Sequence, residues 1–144
     1  MTASASSRLD LLSSMLLELI EILRDRQGET WASIVRIAAN KSATIAIDDT
    51  RIYVQVEGEQ DLKIQITAAT PDAINSFEST SQALRNIMFG KSTIERSVAS
   101  GKIFIRVGFG DLLKIRAIVT AVLLDAEVDY RLKKLWKKFD QEWL

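Results

Sequence analysis

Gly90-Lys91-Ser92 imitates the end of a phosphate-binding loop, in which a lysine and a hydroxyl follow a glycine onto a phosphate chain. That pattern needs another glycine at position 85, where this chain has Arg85, and no strand-like run precedes it, so the segment reads as a turn. Gly108-Phe109-Gly110 lacks the third glycine of a dinucleotide fingerprint, since Leu113 holds that position, and reads as a tight corner. Asp48 and Asp49 are adjacent carboxylates of the type used for acid–base work or a hard cation. Neighbouring turn residues rarely converge and no third oxygen ligand is spaced nearby, so turn chemistry is the reading taken. Ser92, Ser97 and Ser100 are hydroxyls without a histidine to activate them, and a lysine-activated serine needs a desolvated lysine. The chain has no histidine and no cysteine, which removes the commonest zinc and copper ligands, disulfides and the usual general base near neutral pH. The expectation is no catalytic residue, no metal and no cofactor.

The 144 residues, 47% hydrophobic and 26% charged, suit one soluble domain with a single core. One proline and six glycines leave no room for a low-complexity linker. Nineteen basic and nineteen acidic residues cancel, so no global field gathers nucleic acid or an anionic membrane; no nucleic-acid partner is expected, and membrane contact at most peripheral. Arg8 and Asp10 within a periodic N-terminal run argue against a signal peptide. The most apolar window, Ile103 to Leu124, contains Arg106, Asp111, Lys114 and Arg116, too many charges for a membrane span. A cytoplasmic location is inferred.

Leu9, Leu12, Leu16, Leu19, Ile20 and Leu23 recur at steps of three or four, which predicts an amphipathic helix over 7–26 with Gly28 as its stop. Strand-like runs follow at 31–39, 42–47, 51–56 and 62–67, the last three with clean alternation. Thr70-Pro71 has the form of a helix N-cap with proline at the first position, and Ser79 with Gln82 and Ser92 with Glu95 each fit a capping box opening a short helix. A further strand lies within 102–107. Asp111 opens a helix that is apolar on most of its circumference from Leu112 to Leu124, which calls for burial on more than one side. The fold class is α+β: one mixed or mostly antiparallel sheet of about five strands with helices on one face, an N-terminal helix over 1–28, a core over 31–119 and a C-terminal helical extension over 120–144.

Phe77, Leu84, Ile87, Met88, Phe89, Ile94, Val98, Ile103 and Ile105 collect apolar side chains from short helices and a strand onto a common interior, which either fills as a solid core or leaves a lumen. The run from Phe89 to Arg106, FGKSTIERSVASGKIFIR, together with the order of a Phe-bearing segment, helix, Gly-Lys, helix, Gly-Lys and last strand, resembles the sterol carrier protein (type two) family. The resemblance covers about residues 31–119. It implies a five-stranded sheet backed by helices and a non-catalytic hydrophobic tunnel for a fatty acyl chain, sterol or phospholipid. Phe77, Leu84, Ile87, Met88, Ile94, Val98, Ile103, Ile105, Leu112, Leu113 and Ile115 would line or border it. Two departures accompany the likeness: Val107 shifts the glycine corner by one, and the C-terminal extension is long for a minimal domain.

In that extension Val128, Leu132, Leu135, Trp136, Phe139 and Trp143 form a stripe opposite Arg131, Lys133, Lys134, Lys137 and Lys138. Such an apolar stripe needs a cover. The domain itself ranks first, a second subunit next and an anionic membrane last. The central apolar segment and the family resemblance, not this stripe, make a lipid or other apolar small molecule the expected partner. The alternative is an interaction or dimerisation module with a filled core, using Leu132, Leu135, Trp136, Phe139 and Trp143 as its surface.

Overall fold

The computed structural model describes the backbone of residues 3–143 and the side chains of residues 7–108 and 110–143. In chain order the elements are α1 (Ala3–Arg26), α2 (Glu29–Ala38), β1 (Ser42–Ile47), β2 (Thr50–Glu57), β3 (Lys63–Ala68), β4 (Phe77–Ser79), α3 (Ser81–Met88), α4 (Ile94–Ala99), β5 (Ile103–Ile105), α5 (Phe109–Val128) and α6 (Tyr130–Glu142). The strands form one mixed sheet in the order β3-β2-β1-β4-β5, in which β1 and β4 are parallel and the other neighbours antiparallel. This is the α+β class expected. No described helix is long and apolar enough to cross a membrane.

Alternation builds the sheet's inner face. Ile45 pairs with Ile52 and with Phe77, and Phe77 in turn with Ile105, so apolar side chains line up across strands. Helices cover this face: α1 lies on β2 and β3, α4 lies on β5, and α5 crosses α2, α4 and α6. The opposite face is partly closed by the connection from β3 to β4. There Ser76 N–H donates to Thr44 O at 2.8 Å, and Arg51 ties down the loop through Asn75 Oδ1 at 3.0 Å, Thr70 O at 3.1 Å and the Ala73 carbonyl.

Several local expectations are corrected. Residues 31–39 are not a strand but most of α2. Their β-branched residues fit either period, yet helical winding buries Trp31 and packs Ile34 and Val35 against the main core, leaving Arg36 exposed. The fifth strand is instead β4, the Phe-bearing segment itself. Thr70-Pro71 opens a turn, closed by Ala73 N–H to Thr70 O at 3.1 Å, and no helix. The left-handed residue ending α1 is Gln27 (φ 52°), while Gly28 caps the start of α2 at φ −95°. Both capping hydroxyls fall one residue later than read. Thr80 accepts from Ala83 N–H at 3.0 Å because Ser79 is held within β4, and Thr93 accepts from Arg96 N–H at 3.2 Å because the Lys91 and Ser92 amides still bond back to Asn86 O.

The C-terminal stripe is interior. Leu132 and Trp143 are 0% exposed, Phe139 2%, Leu135 3% and Trp136 7%, and the covering elements are α1, α3 and α5 of the same chain. These five side chains are core and not an open interaction surface. Val128, read into the stripe, is 78% exposed, because α5 ends there and the chain turns before α6 begins. Asp129 makes the turn. Its carboxylate accepts the Arg131 amide at 2.9 Å and pairs with Arg26 at 2.9 Å and Arg131 at 3.0 Å, fastening the α5–α6 corner to the end of α1.

Two outcomes follow. Trp143→Ala or Phe139→Ala should lower unfolding free energy by about 3–5 kcal/mol, because each empties a fully packed site, while sedimentation shows an unchanged mass. The Arg131 hydrogen bond, aided by Arg26 and opposed by burial, holds the Asp129 carboxyl well below its ordinary value of 3.8. A depressed folded pKa contributes stability above pH 3.8 that is lost as pH falls through the folded value, because the unfolded chain then binds the proton more readily. Asp129→Asn, which keeps a capping side chain, should flatten that acid limb in urea titrations across pH 2–5 and lower stability at neutral pH.

Candidate functional site

Two apolar clusters meet at Phe77 and Leu123, which pack against both. The larger holds Leu23, Trp31, Ile47, Ile52, Leu132 and the α6 aromatics. The smaller consists of buried Ala83, Ile87, Ile94 and Ile103, with Val98, Ile105 and Val119 packed around them. Short helices supply it because each is punctuated by a left-handed glycine, Gly90 after α3 and Gly101 after α4, both at φ 75°. The chain thus reverses twice within a few residues and returns as β5.

The residues expected to line a tunnel divide between these clusters and α5. Ile87, Ile94 and Ile103 are the buried centre of the smaller cluster, joined by Phe77, Val98 and Ile105. Leu84 and Met88 turn towards the larger cluster. Leu112, Leu113 and Ile115 belong to neither; Leu113 is 48% exposed and the other two half-buried. The apolar interior of α3, α4 and β5 is therefore packed side chain to side chain, whereas the first turns of α5 remain outside it. The burial expected on more than one side of α5 is met in part, since it packs against α2, α4 and α6, but among the described residues Leu113 and Leu124 (58%), with Val128 (78%) beyond them, mark an uncovered face.

Concavities flank α4 on either side. One, about 420 Å³, is bounded by Glu95, Leu113, Arg116, Ala117, Thr120, Ala121 and Leu124, and Leu113 is the one expected tunnel residue that lines it. Arg116 closes its rim by pairing with Glu95 at 3.2 Å. The Glu95 carboxyl is held below its ordinary value, first by its own backbone amide at the start of α4 and then by Arg116. The other, about 550 Å³, is lined by polar and basic residue types with one alanine: Asn86, Lys91, Ser92, Arg96, Ser97, Ala99, Ser100 and Lys102 border it, and none of the expected tunnel residues does. The three serines weighed as nucleophiles thus gather at one place. Lys91 and Lys102 beside them are exposed, so the desolvation that a lysine base requires is missing there.

Sequence reasoning missed the second task of Asp48. Besides turning β1 into β2 at φ 54°, its carboxylate accepts the Ser81 amide at 2.8 Å and the Trp143 indole N–H at 2.9 Å. Burial works to raise its pKa, but these hydrogen bonds outweigh it and hold the carboxyl below its ordinary value. The start of α3, and with it the smaller cluster, is thereby tied to the end of α6. No signal in the local sequence marks that partnership, since residues 48 and 143 meet only through the fold.

No protein-family model matches this chain, and neither a curated protein nor a solved structure is detectably similar to it.

Proposed function

We propose that the protein binds, without catalysing a reaction, an apolar ligand of the acyl-chain, sterol or phospholipid type, received between the first half of α5 and the α4–β5 side of the smaller cluster. One observation carries this reading: Leu112, Leu113 and Ile115 lie on an apolar helix yet join neither core cluster. A chain that buried them would gain area that the protein leaves unused. The order β4, α3, Gly90-Lys91, α4, Gly101-Lys102, β5 supports the same reading through its resemblance to the sterol carrier protein (type two) family.

Since Ile87, Ile94 and Ile103 already touch one another, the ligand enters by shifting α5 and not by filling a standing tunnel. Its own burial must supply the energy. A twelve-carbon chain at about 0.8 kcal/mol per CH₂ gives roughly 10 kcal/mol before ordering costs, and low-micromolar binding requires about 8. Selectivity among chains should be loose, because area and not directional contact does most of the holding.

A fluorescent fatty-acid analogue should bind with one site per chain, and native mass spectrometry after gentle purification should find co-purifying lipid. Leu112→Asp with Ile115→Asp, both at half-exposed positions, should weaken the analogue at least tenfold while melting within a few degrees of wild type. Leu84→Ala, in the larger cluster's margin, should lower stability and leave affinity nearly unchanged. Equal affinity in wild type and the double Asp variant, both folded, would refute the proposed site.

A further inference from the structure

We infer that the concavity between the end of α3, α4 and the turn at Gly101 is a binding site for a phosphate group. Its lining brings Lys91, Arg96 and Lys102 around one space of about 550 Å³ with no carboxylate among the lining residues. In a chain with nineteen basic and nineteen acidic residues, a local group of cations without a counter-charge is a departure from the average. Among the described residues none of these three side chains makes an ion pair, which is also true of several lysines elsewhere on the surface, but here three such cations line one hollow, and Arg96 differs from Arg24, Arg26, Arg85, Arg106, Arg116 and Arg131, which are all paired. Glu95, the nearest acid in sequence, faces the opposite concavity and is held there by Arg116.

A second observation points the same way. Ser97 is only 3% exposed, it lines this concavity, and among the described residues its hydroxyl has no hydrogen-bond partner. The hydroxyl is not sealed inside the protein, so it offers an open donor to an acceptor held in the cationic hollow. Asn86 adds donors: its Oδ1 accepts from Gln82 at 3.0 Å, which leaves the amide nitrogen free, and its carbonyl is used by the Lys91 and Ser92 amides. Ser92 adds a further hydroxyl, while the Ser100 hydroxyl is turned to Ser97 O at 3.3 Å.

Phosphate fits this set better than carboxylate. Its oxygens can take a forked pair from the Arg96 guanidinium, point charges from the lysines and a short hydroxyl hydrogen bond together, and its double charge at neutral pH suits the local excess of cations. The hold is by side chains and not by a cradle of backbone amides, so the site differs from the phosphate loop that Gly90-Lys91-Ser92 imitates. The phosphate is either that of a small soluble ester or that of a lipid headgroup. The anion site stands without the apolar-ligand reading, and it deepens that reading where the phosphate belongs to a lipid.

The test titrates inorganic phosphate into the full chain in low salt, following backbone amide shifts by NMR. Wild type should show saturable one-site shifts centred on residues 92–102, weakening as salt rises. Arg96→Gln with Lys102→Gln, both exposed, should weaken binding at least tenfold with unchanged melting; Ser97→Ala should weaken it about threefold to tenfold; and Lys133→Gln with Lys137→Gln, on α6, should leave it as in wild type. Dihexanoyl phosphatidate, which carries the same group on short acyl chains, separates the sources: tighter binding than inorganic phosphate, reduced by Leu112→Asp with Ile115→Asp, assigns a lipid, and equal binding unaffected by that variant assigns a soluble ester. Absence of saturable phosphate shifts in this region, or equal loss in the α6 variant, would overturn the site, whatever the fatty-acid analogue does.

Discussion

The docking of Trp143 is the contact on which the remaining architecture depends. Its ring is fully buried and stacks on Phe139 at 5.5 Å between centroids, its indole N–H reaches Asp48 on the β1–β2 hairpin, and its carbonyl takes the Arg85 guanidinium from α3. Arg85 also lies over the Phe139 ring at 5.4 Å and pairs with Asp140 at 3.2 Å. One residue near the C-terminus therefore joins the sheet, the short helices and α6. A buried indole N–H ordinarily finds a partner, and the carboxylate of a turn residue in left-handed conformation supplies it for Trp143, whereas the Trp136 indole nitrogen has none among the described residues.

Once α6 is drawn inward, the position of α5 follows. The chain must break at Asp129 to bring Leu132, Leu135 and Phe139 down onto α1, and the cluster of Arg26, Asp125, Asp129 and Arg131, with Thr30 donating to Asp125 at 2.7 Å, holds the corner. Since α1 lies on β2 and β3 and α4 lies on β5, α5 packs against helices, touching α2, α4 and α6. Its apolar residues outnumber the neighbours available to cover them. An apolar helix with one wall against the protein and another open is an unusual state for a lone small domain, and it gives α5 its role as cover in the proposed binding.

Charge is distributed by the same geometry. Much of the arginine is consumed in stitching distant elements, as in Arg131 to Asp25 at 2.6 Å and Arg24 to the Leu62 carbonyl at 2.7 Å. Among the described residues the cations of the α3–α4 and α4–β5 turns, Lys91 and Lys102, make no ion pair. Overall neutrality thus hides a local excess beside α4, next to the largely buried Ser97, while the opposite side of the same helix is neutralised by Glu95 and Arg116.

Periodicity alone determined much of this protein: the apolar face of α1, the alternation of β1, β2 and β3, the helix–glycine–helix–glycine–strand order through β5, and the stripe of α6. Each repeats one burial pattern over enough residues that no other winding hides its apolar side chains. Residues 31–39 escaped because Trp31, Val35, Ile37 and the small residues between them satisfy two periods, and only packing against α1 and α5 chose the helix. The caps slipped by one where a backbone pairing, β4 with β1 and β5 or the amides on Asn86 O, held the preceding serine. Tertiary structure alone decided that the α6 stripe is core, that α5 keeps an open face, that Asp48 meets Trp143, and that Lys91, Arg96 and Lys102 surround Ser97. A sequence records which face of an element is apolar, but the partner of that face, and the place where aperiodic charges converge, are properties of three-dimensional packing.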